Sequence, residues 1–77
     1  MSIRVLFFGA TADDVGARSK NVETSDTAGD LVERIVKQHP ALRRHKLLYS
    51  VNQEYAHGDI RLKDGDEVAI FTAVSGG

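Results

Sequence analysis

Apolar and polar positions alternate differently in each part of the chain, and each pattern predicts an element. The run IRVLFF, Ile3 to Phe8, is nearly continuous in apolar character and rich in β-formers, so it reads as a strand. Alternation across a strand assigns Ile3, Val5 and Phe7 to one face and Arg4, Leu6 and Phe8 to the other. The charge at Arg4 turns that second face away from the main core. Gly9 opens GATADDVGA, whose small and turn-forming residues predict a loop. Lys20 to Thr24, KNVET, is a weaker strand that suits a sheet edge.

The spacing then changes. In SDTAGDLVERIVKQHP the residues Ala28, Leu31, Val32, Ile35 and Val36 form one apolar stripe, which predicts an amphipathic helix. Asp26 or Thr27 can cap its first amides, and Asp30 and Glu33 sit near the positive end of its dipole. Lys37 and His39 lie at the other end, where Pro40 stops the helix because it has no amide to donate. Gly29, in the first turn, reads as a mild cost. After the basic, unpatterned ALRRH, KLLYSV predicts a strand that turns at Asn52. EYAHGDIRL is irregular, with a short strand around Ile60 to Leu62. KDGDE is a turn, and Glu67 to Val74 form the last strand.

The order β-β-α-β-(β)-β leaves one helix to cover one face of the sheet, a two-layer α+β domain. The first and last strands are the most apolar, which suits central positions, and they are too far apart in sequence for a hairpin. The economical arrangement is a mixed sheet of four to five strands with these two side by side and one main helix, the β-grasp or ubiquitin-like plan. Residues 1–71 are the expected domain and residues 72–77 an extended C-terminal tail. If Val68 and Ile70 share the core with Ile3, Val5 and Phe7, then Leu6, Phe8 and Phe71 meet on the side without a helix, and Tyr55 extends the group. Scattered surface hydrophobes need no explanation, but a convergent apolar patch marks a partner site.

Composition narrows the chemistry. The chain has 77 residues, with ten Lys and Arg against eleven Asp and Glu, a net charge of −1 that points to neither nucleic acid nor an anionic membrane. It contains no cysteine, so disulfides, thiolate metal sites and cysteine nucleophiles are excluded. No segment approaches the ~20 apolar residues of a membrane span, and no convincing leader opens the chain, so the cytoplasm is the expected location. His39, His45 and His57 have no metal-ligand spacing, and no metal is expected. Each reads as a solvated residue or a helix-end cation. The pairs Asp13–Asp14 and Asp64/Asp66 fall in turns, and Ser75 has no evident base.

One reactive group remains, the carboxylate of Gly77. It is a poor electrophile until its oxygen is made a leaving group, as in an acyl-adenylate. Then it can accept sulfur, giving a thiocarboxylate, or an amine, giving an amide. Consecutive glycines at 76 and 77 let another protein's backbone close around the tail, because neither has a Cβ. Thr72 to Gly77, extended, reach roughly 20 Å. A frayed end is the plain reading of Gly-Gly alone; the apolar strand running up to it favours the reactive one.

IRVLFF, VNQEYA and LKDGDEVAIFTAVSGG, in that order, resemble the small subunit of molybdopterin synthase, the MoaD-type sulfur carriers, over the full length. The resemblance implies that Gly77 is adenylated with ATP by an E1-like enzyme of the MoeB type and then thiocarboxylated. It implies that the tail enters a large subunit of the MoaE type and donates sulfur to cyclic pyranopterin monophosphate, in a heterotetramer of two small and two large subunits. On this reading the chain is no enzyme by itself and binds no permanent cofactor. Gly76 lets the tail thread, and Leu6, Phe8, Tyr55, Phe71, Val74 and Ser75 contact the partner. Many members have Pro-Pro where this chain has Thr72 and Ala73, and a basic residue where GATADDVG is acidic. Three other readings stay open: a sulfur carrier for the thiazole of thiamine, a ubiquitin-like protein modifier, and a non-covalent adaptor.

Overall fold

The two most apolar runs of the chain pair in parallel at the centre of one sheet. The computed structural model describes residues 2–24, 27–55 and 57–73. Among them are five strands, β1 (Ser2–Phe7), β2 (Ser19–Glu23), β3 (Leu47–Val51), β4 (Glu54–Tyr55) and β5 (Glu67–Thr72). Two α-helices, α1 (Ala10–Val15) and α2 (Ala28–Gln38), and a 3-10 turn at Pro40–Arg44 complete the set. The sheet order is β2-β1-β5-β3-β4, with β1 and β5 parallel and the other pairs antiparallel. This is the expected β-grasp, with KNVET as an edge strand. A parallel pair needs a long crossover, and α2 lies within the segment that supplies it.

The alternation in β1 sorts as its sequence requires. Ile3, Val5 and Phe7 are buried, and they meet Val68 and Ile70 of β5 and Ala28, Leu31, Val32 and Ile35 of α2. Thr27 caps α2, its Oγ1 accepting the Asp30 N–H at 3.3 Å. Leu42 and Leu62, from segments without periodicity, complete the core. At Arg61 there is a single bridge to Thr27 in place of the short strand expected around Ile60 to Leu62.

The stretch GATADDVGA is not only a loop; it holds α1. Thr11 is fully buried, with its hydroxyl 2.7 Å from Phe8 O and 3.1 Å from Ile70 O, so its one proton ties the helix to the ends of both central strands. Gly16 ends the helix in the left-handed region at φ 80, its N–H donating to Ala12 O. Asp14 and His45 also differ from expectation. The Asp14 carboxylate lies 2.7 Å from His45 Nε2 and accepts from Arg44 at 3.2 Å, which joins α1 to the 3-10 turn.

Gly29 is an intimate contact and not a mere cost. Its N–H donates to Gly58 O at 2.9 Å, and a Cβ there would sit 2.9 Å from that oxygen and 3.0 Å from Gly58 Cα. The loop at 57–60 therefore rests directly on the first turn of α2, where Ala28 N–H also donates to Ile60 O.

Candidate functional site

With α2 on one face, the other face of the sheet is left to the residues that alternate outward. On β1 and β5 these are Arg4 opposite Glu67 and Leu6 opposite Ala69. On β3 they are Leu48 opposite Phe71 and Ser50 opposite Ala69. Leu6, Leu48 and Phe71 are half-buried, while Phe8 is 52% exposed. Leu6 and Phe8 line one open groove with Arg4, Arg18, Ser19 and Asp13.

Tyr55 reaches this face through a tight turn. Asn52 and Gln53 have φ of 52 and 70, the pair of positive values that a two-residue type I′ hairpin requires. The hairpin sets Tyr55 opposite Ser50. Its ring lies 6.0 Å from that of Phe71 at 59°, a tilted aromatic pair, although Tyr55 is itself 79% exposed. Asn52 clamps the turn to the start of β5: it donates its N–H to Glu67 O at 2.8 Å and accepts the Glu67 N–H on Oδ1 at 3.0 Å. Its amide also donates to Asp66 Oδ1 at 2.9 Å. That bond, together with the Lys63 N–H on Asp66 Oδ2 at 2.7 Å, holds the Asp66 carboxyl below the usual carboxylate range.

The arrangement suits binding more than side-chain chemistry. Leu6, Phe8, Leu48, Tyr55 and Phe71 form an apolar surface flanked by Arg4 and Glu67. Among the described residues no group of three or more His, Cys, Asp or Glu could hold a metal ion. Nor is any described helix long and apolar enough to cross a membrane. The structure thus places Leu6, Phe8, Tyr55 and Phe71 on or beside one face, and adds Leu48. The LL of KLLYSV held that signal, but its use depended on knowing that Leu48 stands opposite Phe71. Strand pairing runs to Thr72, one residue past the expected boundary between domain and tail. Val74, Ser75, Gly76 and Gly77 lie outside the described residues.

Known proteins are similar to this chain in sequence and in fold. The model of the ThiS family matches residues 5–77. The molybdopterin synthase sulfur carrier subunit of Chlamydomonas reinhardtii is 39% identical over 83 residues, covering 100% of both chains. The crystal structure of SAMP1 from Haloferax volcanii, a small archaeal modifier protein, matches with a TM-score of 0.85 and 30% identity over 100% of both chains. The complex of subunits 1 and 2 of molybdopterin-converting factor from Helicobacter pylori contains a chain of the same fold, with a TM-score of 0.74 and 21% identity, again over 100% of both chains.

Proposed function

The chain belongs to the ThiS family, among relatives that are molybdopterin synthase sulfur carrier subunits, and on that premise we propose that its own sulfur is carried on Gly77. The observation that carries this reading is continuity along β5. Phe71 stands in the apolar face, Ala73 is still hydrogen-bonded to the sheet, and the two terminal glycines follow within four residues. A surface made to dock therefore leads directly into a segment made to thread.

The chemistry runs in three steps. The Gly77 carboxylate attacks the α-phosphorus of ATP on an E1-like enzyme of the MoeB type, and pyrophosphate leaves. A hydrosulfide equivalent then displaces AMP from the acyl carbon, giving the thiocarboxylate. In a large subunit of the MoaE type, the thiocarboxylate sulfur attacks a side-chain carbon of cyclic pyranopterin monophosphate and displaces the oxygen that carbon carried, and water then cleaves the acyl–sulfur bond, leaving sulfur on the substrate and restoring the Gly77 carboxylate. The chain's own part is delivery. Gly76, without a Cβ, passes through a slot too narrow for a side chain. Leu6, Phe8, Leu48, Tyr55 and Phe71 give up their water against the partner. Burying roughly 300 Å² of that face contributes about 7 kcal/mol. Ordering four tail residues costs about 4–8 kcal/mol, so face and tail balance as one device.

The Helicobacter pylori complex supports a second subunit as the partner. The test is single-turnover conversion of cyclic pyranopterin monophosphate by the large subunit mixed with thiocarboxylated chain. Two thiocarboxylates consumed for each molecule converted is the expected result, because the dithiolene takes two sulfurs; equal conversion by a chain lacking Gly77 would refute the reading. A second reading, amide formation between Gly77 and lysines of other proteins, is favoured by the likeness to the archaeal modifier. It predicts ATP-dependent conjugates that disappear when Gly76 and Gly77 are removed.

A further inference from the structure

The outer sheet face does not end at its apolar residues. On the side of the edge strand β2 lies an open groove of about 640 Å³, lined by Leu6 and Phe8 together with Arg4, Arg18 and, from α1, Asp13. A volume of this size takes a short run of side chains. Arg4 and Arg18 are exposed, and neither has an ion-pair partner among the described residues. Arg4 stands opposite Glu67 on β5, yet the two side chains form no ion pair. By contrast, Arg44 and His45 are both taken up by Asp14.

Two unpaired guanidiniums beside apolar surface define an occupant by its chemistry. A guanidinium offers a planar fork of N–H donors that matches a carboxylate, and it is more weakly hydrated than an ammonium. Leu6 and Phe8 call for an apolar group at the same place. We propose, resting on the sulfur-carrier reading above, that the groove receives from the large subunit a segment with an acidic side chain next to an apolar one. The carboxylate sits on Arg4 and Arg18, and the apolar group on Leu6 and Phe8. The groove is continuous with the docking face, because Leu6 and Phe8 belong to both, so one partner covers the two together. Asp13 sets the direction of entry: its carboxylate repels the incoming one, and the acidic end has to lie on the arginine side. The apolar face supplies most of the affinity, and the groove adds the choice of partner and the speed of encounter.

The test is binding of the large subunit, followed by stopped flow and calorimetry, to the wild-type chain and to R4Q/R18Q. Glutamine keeps part of the stem and removes the charge, and both positions are exposed, so the variant keeps its fold. The double variant should bind roughly tenfold more weakly at low salt, mostly through slower association, and the gap should close to about twofold near about 0.5 M salt. D13N should move the other way and tighten binding by about twofold. Unchanged affinity in R4Q/R18Q, or weaker binding by D13N, overturns the proposal. So does a defect confined to pyrophosphate exchange by the activating enzyme, which assigns the groove to that enzyme instead. Should the wild-type chain not bind the large subunit at all, the sulfur-carrier reading fails, and a second readout still decides the chemistry of the groove. It is the shift of backbone amide resonances on titration with hydrocinnamate, an aromatic carboxylate, or with its neutral amide. Shifts at Leu6, Phe8 and Arg18 that favour the carboxylate by about threefold in wild type, and not in R4Q/R18Q, uphold the groove. An equal response to acid and amide, or a preference that survives in R4Q/R18Q, overturns it.

Discussion

Replacing Gly29 by alanine should destabilise the protein, although the same change in a helix ordinarily stabilises by up to about 1 kcal/mol. The new Cβ would lie 2.9 Å from Gly58 O and 3.0 Å from Gly58 Cα, and both atoms are backbone that cannot swing aside. The 57–60 loop has to move off α2. That movement weakens the bonds from Gly29 N–H to Gly58 O and from Ala28 N–H to Ile60 O. Overpacking costs about 1–3 kcal/mol, and each weakened hydrogen bond up to about 0.5–1.5 kcal/mol. Less the gain in helix preference, the net loss is about 2 kcal/mol, or roughly 8–16 °C in Tm for a domain of this size. Urea and thermal unfolding followed by circular dichroism measure it. Gly58→Ala is the internal comparison: among the described residues its Cβ would meet the Tyr49 hydroxyl at 3.1 Å and Gly29 Cα at 3.6 Å, so its cost should be smaller. A Gly29→Ala protein as stable as wild type, or more so, would refute the close contact.

Gln53→Gly should raise stability by about 0.5–1 kcal/mol. It relieves a side chain held at φ 70, which costs about 1–2 kcal/mol, and returns part of that gain as unfolded-state entropy; an unchanged or lower Tm would contradict the turn assignment. Asp66→Asn should lower the urea midpoint at neutral pH. Because the Asn52 amide and the Lys63 N–H hold the folded-state carboxyl below its ordinary value, that stabilisation is present above the ordinary value and lost as pH falls through the lowered one. The gap between variant and wild type should therefore close on acidification, and a gap constant with pH would count against it. Phe71→Ala should weaken binding to the large subunit by about 2 kcal/mol, roughly 30-fold by calorimetry. Tyr55→Ala, at a position 79% exposed, should leave unfolding within about 0.5 kcal/mol of wild type; unaltered affinity in the Phe71 variant would remove the docking face from the account.

Much of the architecture is readable from pattern because the patterns are long. Ile3, Val5 and Phe7 against Val68 and Ile70 leave little choice but a central pair, and the stripe from Ala28 to Ile35 gives α2 its buried side. What the pattern hides is short or remote. Helix α1 spans six residues, too few to show a period, and it is fixed by Thr11 reaching the carbonyl of Phe8, just past β1, and that of Ile70 in β5, which is 59 residues away. Leu42 and Leu62 are single apolar residues in polar surroundings, and only the folded chain shows that they fill the core. Gly29 looked like a defect until Gly58 was set against it. At the site, alternation was enough for Leu6 and Phe71. Leu48 needed the register of β3, and Tyr55 needed a turn whose second positive φ falls on glutamine, a residue that gives no warning of it.

On the proposed reading the reacting atom is the acyl carbon of Gly77, and the fold before it serves as handle and guide. Intact-mass analysis of the chain after incubation with its activating enzyme, ATP and sulfide addresses that claim most directly. The predicted product is heavier by the difference between sulfur and oxygen, with the added mass confined to the fragment ending in Gly77. A chain that gains no sulfur under those conditions, or one that gains it equally well after Gly77 is removed, would contradict it.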